Sequence, residues 1–362
     1  YTSMQIFSAE KIFTGKEWLT NHAVVVEDNR IKAIIPATET AHHFANAFIA
    51  PAFIDLQIYG AGEKLFAVYP EKDALKRLVD YCRSGGAAYC MPTVATQPYE
   101  IFYKCIDAVK DYWNDGGIGI LGLHIEGPWI SAAKKGAHIE ECIHSPTTEQ
   151  VKHLLEYGKG VIKIITLAPE VCSQAIIDLI LSHNIIISAG HSNATYEAAT
   201  NAFNNGITTA THLYNAMSPL QHRSPGVVGA VLNHPTVMSS IIPDGHHVDF
   251  AAVSIAKQIM KERLFVITDA VTETTTGYYP HNFAGDKYDS NGILSGSALT
   301  MGKAVKNLVT HCGIELSEAL RMCSLYPAQV MKMENEYGMI QPGAVAAMVV
   351  MNEEFEVVEM IG

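Results

Sequence analysis

Cations are scarce in this chain: 25 Lys and Arg stand against 37 Asp and Glu, a formal charge of -12 over 362 residues. A sequence-independent grip on nucleic acid or anionic lipid needs the opposite balance, so neither partner is expected. An anionic ligand must then be held locally, which makes the position of each arginine informative. The cysteines number only seven, are widely scattered and are never spaced as C-x-x-C. Neither a disulfide framework nor a zinc ribbon is signalled. Long apolar runs are missing too. The longest, residues 344–351, falls far short of the ~18 residues needed to span a bilayer. The segment YTSMQIFSAEKIFTGKEW has no signal-peptide apolar core, so cytoplasm is the expected compartment. Histidine, by contrast, is plentiful at 16, and it is the commonest metal-ligating side chain.

From residue 50 onward, short apolar runs of strand type alternate with longer segments of helical period. Eight such runs are present: FIDLQIYG from Phe53, AAYCMPTVAT from Ala87, GILGLHIEG from Gly119, VIKIITLAP from Val161, IIISAGHS from Ile185, ITTATHLYN from Ile207, VMSSIIPDG from Val237 and LFVITDA from Leu264. Strands buried on both faces by outer helices have this near-continuous apolar character, and eight units predict an α/β chain folded as a (β/α)8 TIM barrel. The flanks read differently. AVVVEDNRIKAII near the start and a PG turn followed by an apolar strand near the end predict hairpins rather than helices. The expected organisation is one small β domain formed by residues 1–49 and 339–362 from the two termini, beside a barrel over 50–338.

Reacting groups in such a barrel come from the carboxyl ends of the strands. Glu126 ends the third run, His191 follows the fifth, His212 ends the sixth and Asp269 ends the eighth. One Glu and two His form a ligand set suited to Zn2+, Fe2+ or Co2+, with positions left open for water or substrate. Asp269 is then the candidate base beside the ion. Each residue alone has an ordinary structural reading, but four ionisable groups in one crowded mouth would be costly to bury unpaired, and a shared cation removes that cost. His124, two residues before Glu126, points the same way one layer deeper, as support for the site or as a structural residue. Asp55 and Gln57 share that i, i+2 geometry on the first run; a carboxylate and an amide there favour one metal per chain over two. Arg223, in LQHRSPG, is the one cation besides histidine between Ala189 and Ala256. It is either a phosphate clamp or a solvated loop residue. His247 could supply a further donor.

Taken together, GLHIEGPW from Gly122, SAGHSNAT from Ser188, THLYNAM from Thr211, HRSPG from His222, DGHHVD from Asp244, ITDA from Ile267 and LSGSALTM from Leu294 resemble the N-acetylglucosamine-6-phosphate deacetylases of the amidohydrolase superfamily. The likeness runs from about Ile12 to beyond Tyr326. It implies the barrel with its terminal β-sandwich, a homodimer, and hydrolysis of the acetamide of N-acetylglucosamine 6-phosphate to glucosamine 6-phosphate and acetate. It also implies the metal on Glu126, His191 and His212, with Asp269 as the general base. Ala137 and His138, in KKGAH, are implied near the acetyl group, where His138 would help polarise the carbonyl. Asn215, Ala216, Arg223 and His247 match sugar-phosphate contacts, with Arg223 and His247 reaching into the neighbouring subunit's site. Leu294, Ser295 and Gly296 match a loop covering the substrate. The family's usual Gln-x-Asn-Gly-x-Gly-Gly is here Gln57, Tyr59, Gly60, Gly62 and Glu63, and Ala52 replaces a glycine. Tyr59 and Glu63 are expected to add bulk and negative charge at the barrel mouth. Alternative readings are an amidohydrolase acting on the galacto epimer or a cyclic amide, and a non-catalytic scaffold barrel.

Overall fold

The computed structural model describes residues 3–362. Each of the eight apolar runs contains one strand of a single sheet: β1 (Phe53–Ile58), β2 (Ala87–Ala95), β3 (Leu123–Glu126), β4 (Ile162–Leu167), β5 (Ile186–Ala189), β6 (Thr209–Ala210), β7 (Met238–Ile241) and β8 (Leu264–Val266). Their order in the sheet is their order in the chain, and the pairs from β2–β3 through β7–β8 are parallel. The ring closes just past the ends of β8 and β1, where Ile58 and Ala270 form a parallel bridge. There the Tyr59 N–H donates to the Ala270 carbonyl at 2.8 Å and the Asp269 N–H donates to the Gln57 carbonyl at 3.0 Å. This is the (β/α)8 barrel that the alternation predicts.

A helix follows each strand, from Lys72–Ser84 after β1 to Met301–Cys312 after β8. Several start on side-chain caps that satisfy the first free N–H groups. Thr147 and Gln150 form a reciprocal capping box, and Ser173, Thr195, Asp249 and Thr300 each accept from a first-turn N–H. Every residue of β1 and β3 is buried, as a strand between a filled barrel interior and outer helices must be.

The terminal strands share one seven-stranded sheet rather than two separate ones. The antiparallel strands Met4–Phe13, His22–Glu27 and Arg30–Pro36 are joined to Met348–Asn352 and Val357–Ile361 through His42–Pro51. Alternate residues such as Val24, Val26, Met348 and Val350 converge with Ile12, Ile31 and Ile49 in one apolar cluster. By compactness the chain divides into two units: residues up to Asp55 with Asp80–Tyr89 and Thr300–Gly362, and Leu56–Val79 with Cys90–Leu299. Among the described residues no disulfide joins the cysteines, and no helix is long and apolar enough to cross a membrane.

Candidate active site

All the groups described here except Asp55 lie in the second of those units. Glu126 is the last residue of β3, while His191, His212 and Asp269 lie two or three residues past the ends of β5, β6 and β8. All four are buried. The backbone of the latter three turns through the left-handed region, with φ of 47°, 40° and 54°, which lets each side chain double back over the barrel mouth.

The geometry of three of these groups is that of a cation site. The Nε2 atoms of His191 and His212 are 3.3 Å apart, and each is 3.4 Å from Glu126 Oε2. A tetrahedral ion with ligand bonds of about 2.0–2.2 Å separates its ligands by roughly 3.3–3.6 Å. The tautomers agree. His191 Nδ1 lies 2.8 Å from the Lys134 carbonyl and His212 Nδ1 lies 2.9 Å from the Asn215 carbonyl. A carbonyl only accepts, so each Nδ1 carries the proton and each neutral Nε2 turns a lone pair inward. Two lone pairs and a carboxylate oxygen thus face one point, where a divalent cation fits and an ordinary hydrogen bond does not. Burial pushes the Glu126 carboxyl up, but His138 and His191 outweigh it and hold the group well below the usual carboxylate range.

Around this triad the hydrogen bonds are shared tightly. Glu126 Oε1 accepts from the Tyr59 hydroxyl at 2.6 Å and from His138 Nε2 at 2.9 Å. His138 Nδ1 in turn pairs with Thr96 Oγ1 at 2.7 Å. Gly127 is required beside it, since a Cβ there would sit 2.1 Å from Thr96 Oγ1, and its φ is +86°. Gln57 Nε2 lies 2.8 Å from Tyr59 Oη, 2.9 Å from Glu126 Oε2 and 3.0 Å from Asp269 Oδ1, so two amide hydrogens serve three acceptors. Burial raises the Asp269 pKa to about 8, with His212 opposing and Glu126 reinforcing the shift. A divalent cation on the triad would pull it back toward the ionised form.

Of the remaining predicted residues, Ala137, His138, Asn215, Ala216, Leu294 and Ser295 line one cavity with the triad and Asp269. His247 lines it too. Asp244 holds its Nδ1 at 2.7 Å, and Nε2 points at Asp269 Oδ2, 3.8 Å away. Gly296 stands behind the wall, paired with Tyr288 and pressed toward Val271. Arg223 is exposed on a tight turn closed by Gln221 and Ser224, outside this cavity. Asp55 is buried and does not line it. Glu63, expected to add charge at the mouth, is exposed and also outside, because a left-handed turn at φ 65° carries it off. Tyr59 does not merely add bulk but donates to the triad. His124 bonds to the Leu56 carbonyl and to Thr166 Oγ1, at 3.0 and 2.7 Å, rather than to the ligands.

Among the lining residues without a counterpart in the sequence reading are Gln97, Tyr279 and His281. Gln97 Oε1 and Asn215 Nδ2 are buried on the cavity wall without a hydrogen-bond partner. Each such atom costs about 1–3 kcal/mol until a polar ligand or water meets it. His281 Nδ1 sits 2.8 Å from Ser295 Oγ. Burial lowers the pKa of both His124 and His281 to about 4. In the unfolded chain both would titrate near 6.5, so between these values the unfolded state binds more protons and folding loses stability as the pH falls. Urea midpoints should therefore drop from pH 6.5 to pH 4, and His281→Gln should make that slope shallower. An unchanged slope would show that His281 is not held neutral.

Comparison with known proteins follows the same lines. The profile of the Amidohydrolase family matches residues 48–360. The chain belongs to this family. The NagA composite domain matches residues 7–47 ahead of it. This amidohydrolase is 35% identical to N-acetylglucosamine-6-phosphate deacetylase of Haemophilus influenzae, over 96% of this chain and 95% of that one. It is 30% identical to N-acetylgalactosamine-6-phosphate deacetylase of Escherichia coli O157:H7, over 97% and 96%. Among solved structures, N-acetylglucosamine-6-phosphate deacetylase from Pasteurella multocida superposes with a TM-score of 0.94 at 34% identity, covering 99% of this chain and 98% of that one.

Proposed function

We propose that this chain hydrolyses the acetamide of N-acetylglucosamine 6-phosphate, releasing acetate and glucosamine 6-phosphate. The observation that carries the reading is the convergence of three electron-pair donors beside a buried carboxyl group, on the wall of a cavity with unsatisfied amide groups. One divalent cation on Glu126, His191 and His212, Zn2+ first with Fe2+ or Co2+ as alternatives, would polarise the amide carbonyl and acidify a water when bound.

The side chains supply the rest. Asp269 takes the proton from the attacking water and returns it to the leaving nitrogen, so that one carboxyl group serves as base and then acid. Gln57 fixes its Oδ1, leaving Oδ2 for the proton. Thr96 holds the His138 ring at Nδ1, and the Nε2 proton that goes to Glu126 Oε1 in this structure turns to the oxygen that gathers negative charge when substrate enters. Asn215 and Gln97 meet the sugar's polar groups, with the Ala137 and Ala216 backbone beside them, and Leu294 and Ser295 cover it. Arg223 is assigned to the phosphate of the neighbouring subunit's substrate in a homodimer. The division into a terminal β domain, 1–49 with 339–362, and a barrel domain, 50–338, and a cytoplasmic setting for thiols that form no disulfide, complete the proposal.

Acetate release should require the gluco 6-phosphate and stop with a chelator; release from the galacto epimer at a higher kcat/KM would move the assignment to the activity named for the E. coli relative. Arg223→Ala should lower kcat/KM strongly for the phosphorylated sugar and little for the unphosphorylated one. Equal losses on both would place the phosphate elsewhere.

A further inference from the structure

We infer that Tyr59 is a positioning residue that makes Glu126 a one-oxygen ligand and, together with the Gln57 N–H groups behind it, keeps the site to a single cation. The inference rests on the reading of Glu126, His191 and His212 as the cation site, and it concerns what the other half of the Glu126 carboxylate is doing. A carboxylate offers about four lone-pair directions, two on each oxygen. Oε2 faces the two histidine Nε2 atoms at 3.4 Å. Oε1 has both directions taken, by the Tyr59 hydroxyl at 2.6 Å and His138 Nε2 at 2.9 Å. It therefore has no electron pair left for that cation or for another.

The direction of the Tyr59 proton is fixed from behind. Gln57 Nε2, which can only donate, lies 2.8 Å from Tyr59 Oη, so the hydroxyl accepts from the amide and passes its own proton to Glu126. The ring packs against an apolar cluster of Leu65, Val271 and Tyr279, so the hydroxyl is presented by a side chain with little freedom to swing away. A second ion bridging Glu126 would have to expel this hydroxyl. It would find the Gln57 N–H groups, which cannot ligate, on the same side. Burial and the nearby Asp269 and Glu126 charges raise the Tyr59 pKa well above its ordinary value, in keeping with a phenol that donates.

The test reads the metal rather than turnover. Purified full-length protein, loaded with excess Zn2+ and desalted, should hold one ion per chain. Tyr59→Phe, which removes only the hydroxyl, should still hold one, but with affinity weakened 10–100-fold in competition with a chromophoric chelator, the usual loss when a ligand's hydrogen-bonding support is removed. The visible spectrum of the Co2+-loaded variant should shift as Glu126 is freed to ligate through both oxygens, while the melting temperature of the metal-free protein moves little. An affinity within twofold of wild type, or an unchanged Co2+ spectrum, overturns the role of Tyr59. Two tightly held ions in the wild type overturn the exclusion of a second cation, and this count stands even if Tyr59→Phe does not fold. A wild type that binds no ion would instead overturn the cation site itself, so the two failures are distinguishable.

Discussion

Asp269→Asn should lower kcat by three to four orders of magnitude while the protein keeps its full complement of metal. A correctly placed proton-transfer group contributes about 10²–10⁴ in rate, and Asp269 is asked to act twice, once on water and once on the leaving nitrogen. Asparagine has the same shape and can still accept from Gln57 through Oδ1, so the constellation survives without its base. The side chain is not among the ion's three ligands, which is why metal content should be unaffected. Burial raises the Asp269 pKa to about 8, so the carboxylate is disfavoured by its surroundings, and the neutral amide should leave the thermal stability equal or higher. A variant retaining a tenth or more of the wild-type kcat would remove Asp269 from the proton transfer.

Glu126→Gln should produce the other large effect by a different route. The substitution removes the only negative charge among the three ligands and places an amide where Tyr59, His138 and Gln57 all point N–H or O–H donors. Buried donors facing an amide nitrogen are left unpaired, at about 1–3 kcal/mol each. The desalted variant should retain less than a tenth of an ion per chain, and its acetate release should fall to the level of chelated wild type. Millimolar Zn2+ should restore only part of it. Full metal content in Glu126→Gln would mean that the ion is held by other residues.

Much of this was legible in the sequence, for reasons that can be stated residue by residue. Each apolar run holds a barrel strand because strands buried on both faces must be apolar along their whole length, which leaves a polar residue at a strand end conspicuous. Glu126, His191, His212 and Asp269 stand out for that reason, and the structure brings them together. What escaped depends on partners distant in the chain. Tyr59 reads as bulk until Glu126 is seen 2.6 Å from its hydroxyl. Gln97, Tyr279 and His281 lie in irregular segments or just outside the strands, where no periodicity points inward. The hydrogen bond between His247 and Asp244 was legible only as a spacing of three residues. The two ends of the chain carried strand patterns, but pattern alone does not say which strands of the two ends pair with one another.

The left-handed turns at His191, His212 and Asp269 set stability against function at the same three positions. Such backbone costs a side-chain-bearing residue of order 1 kcal/mol that glycine would not incur. Glycine at any of them would relax the chain and abolish the chemistry, so changes that harden the fold and changes that preserve the site pull apart at the strand ends. Ligand binding offsets this, because an ion held well above its dissociation constant stabilises the native state by mass action. A large rise in melting temperature on metal loading is the signature of that exchange.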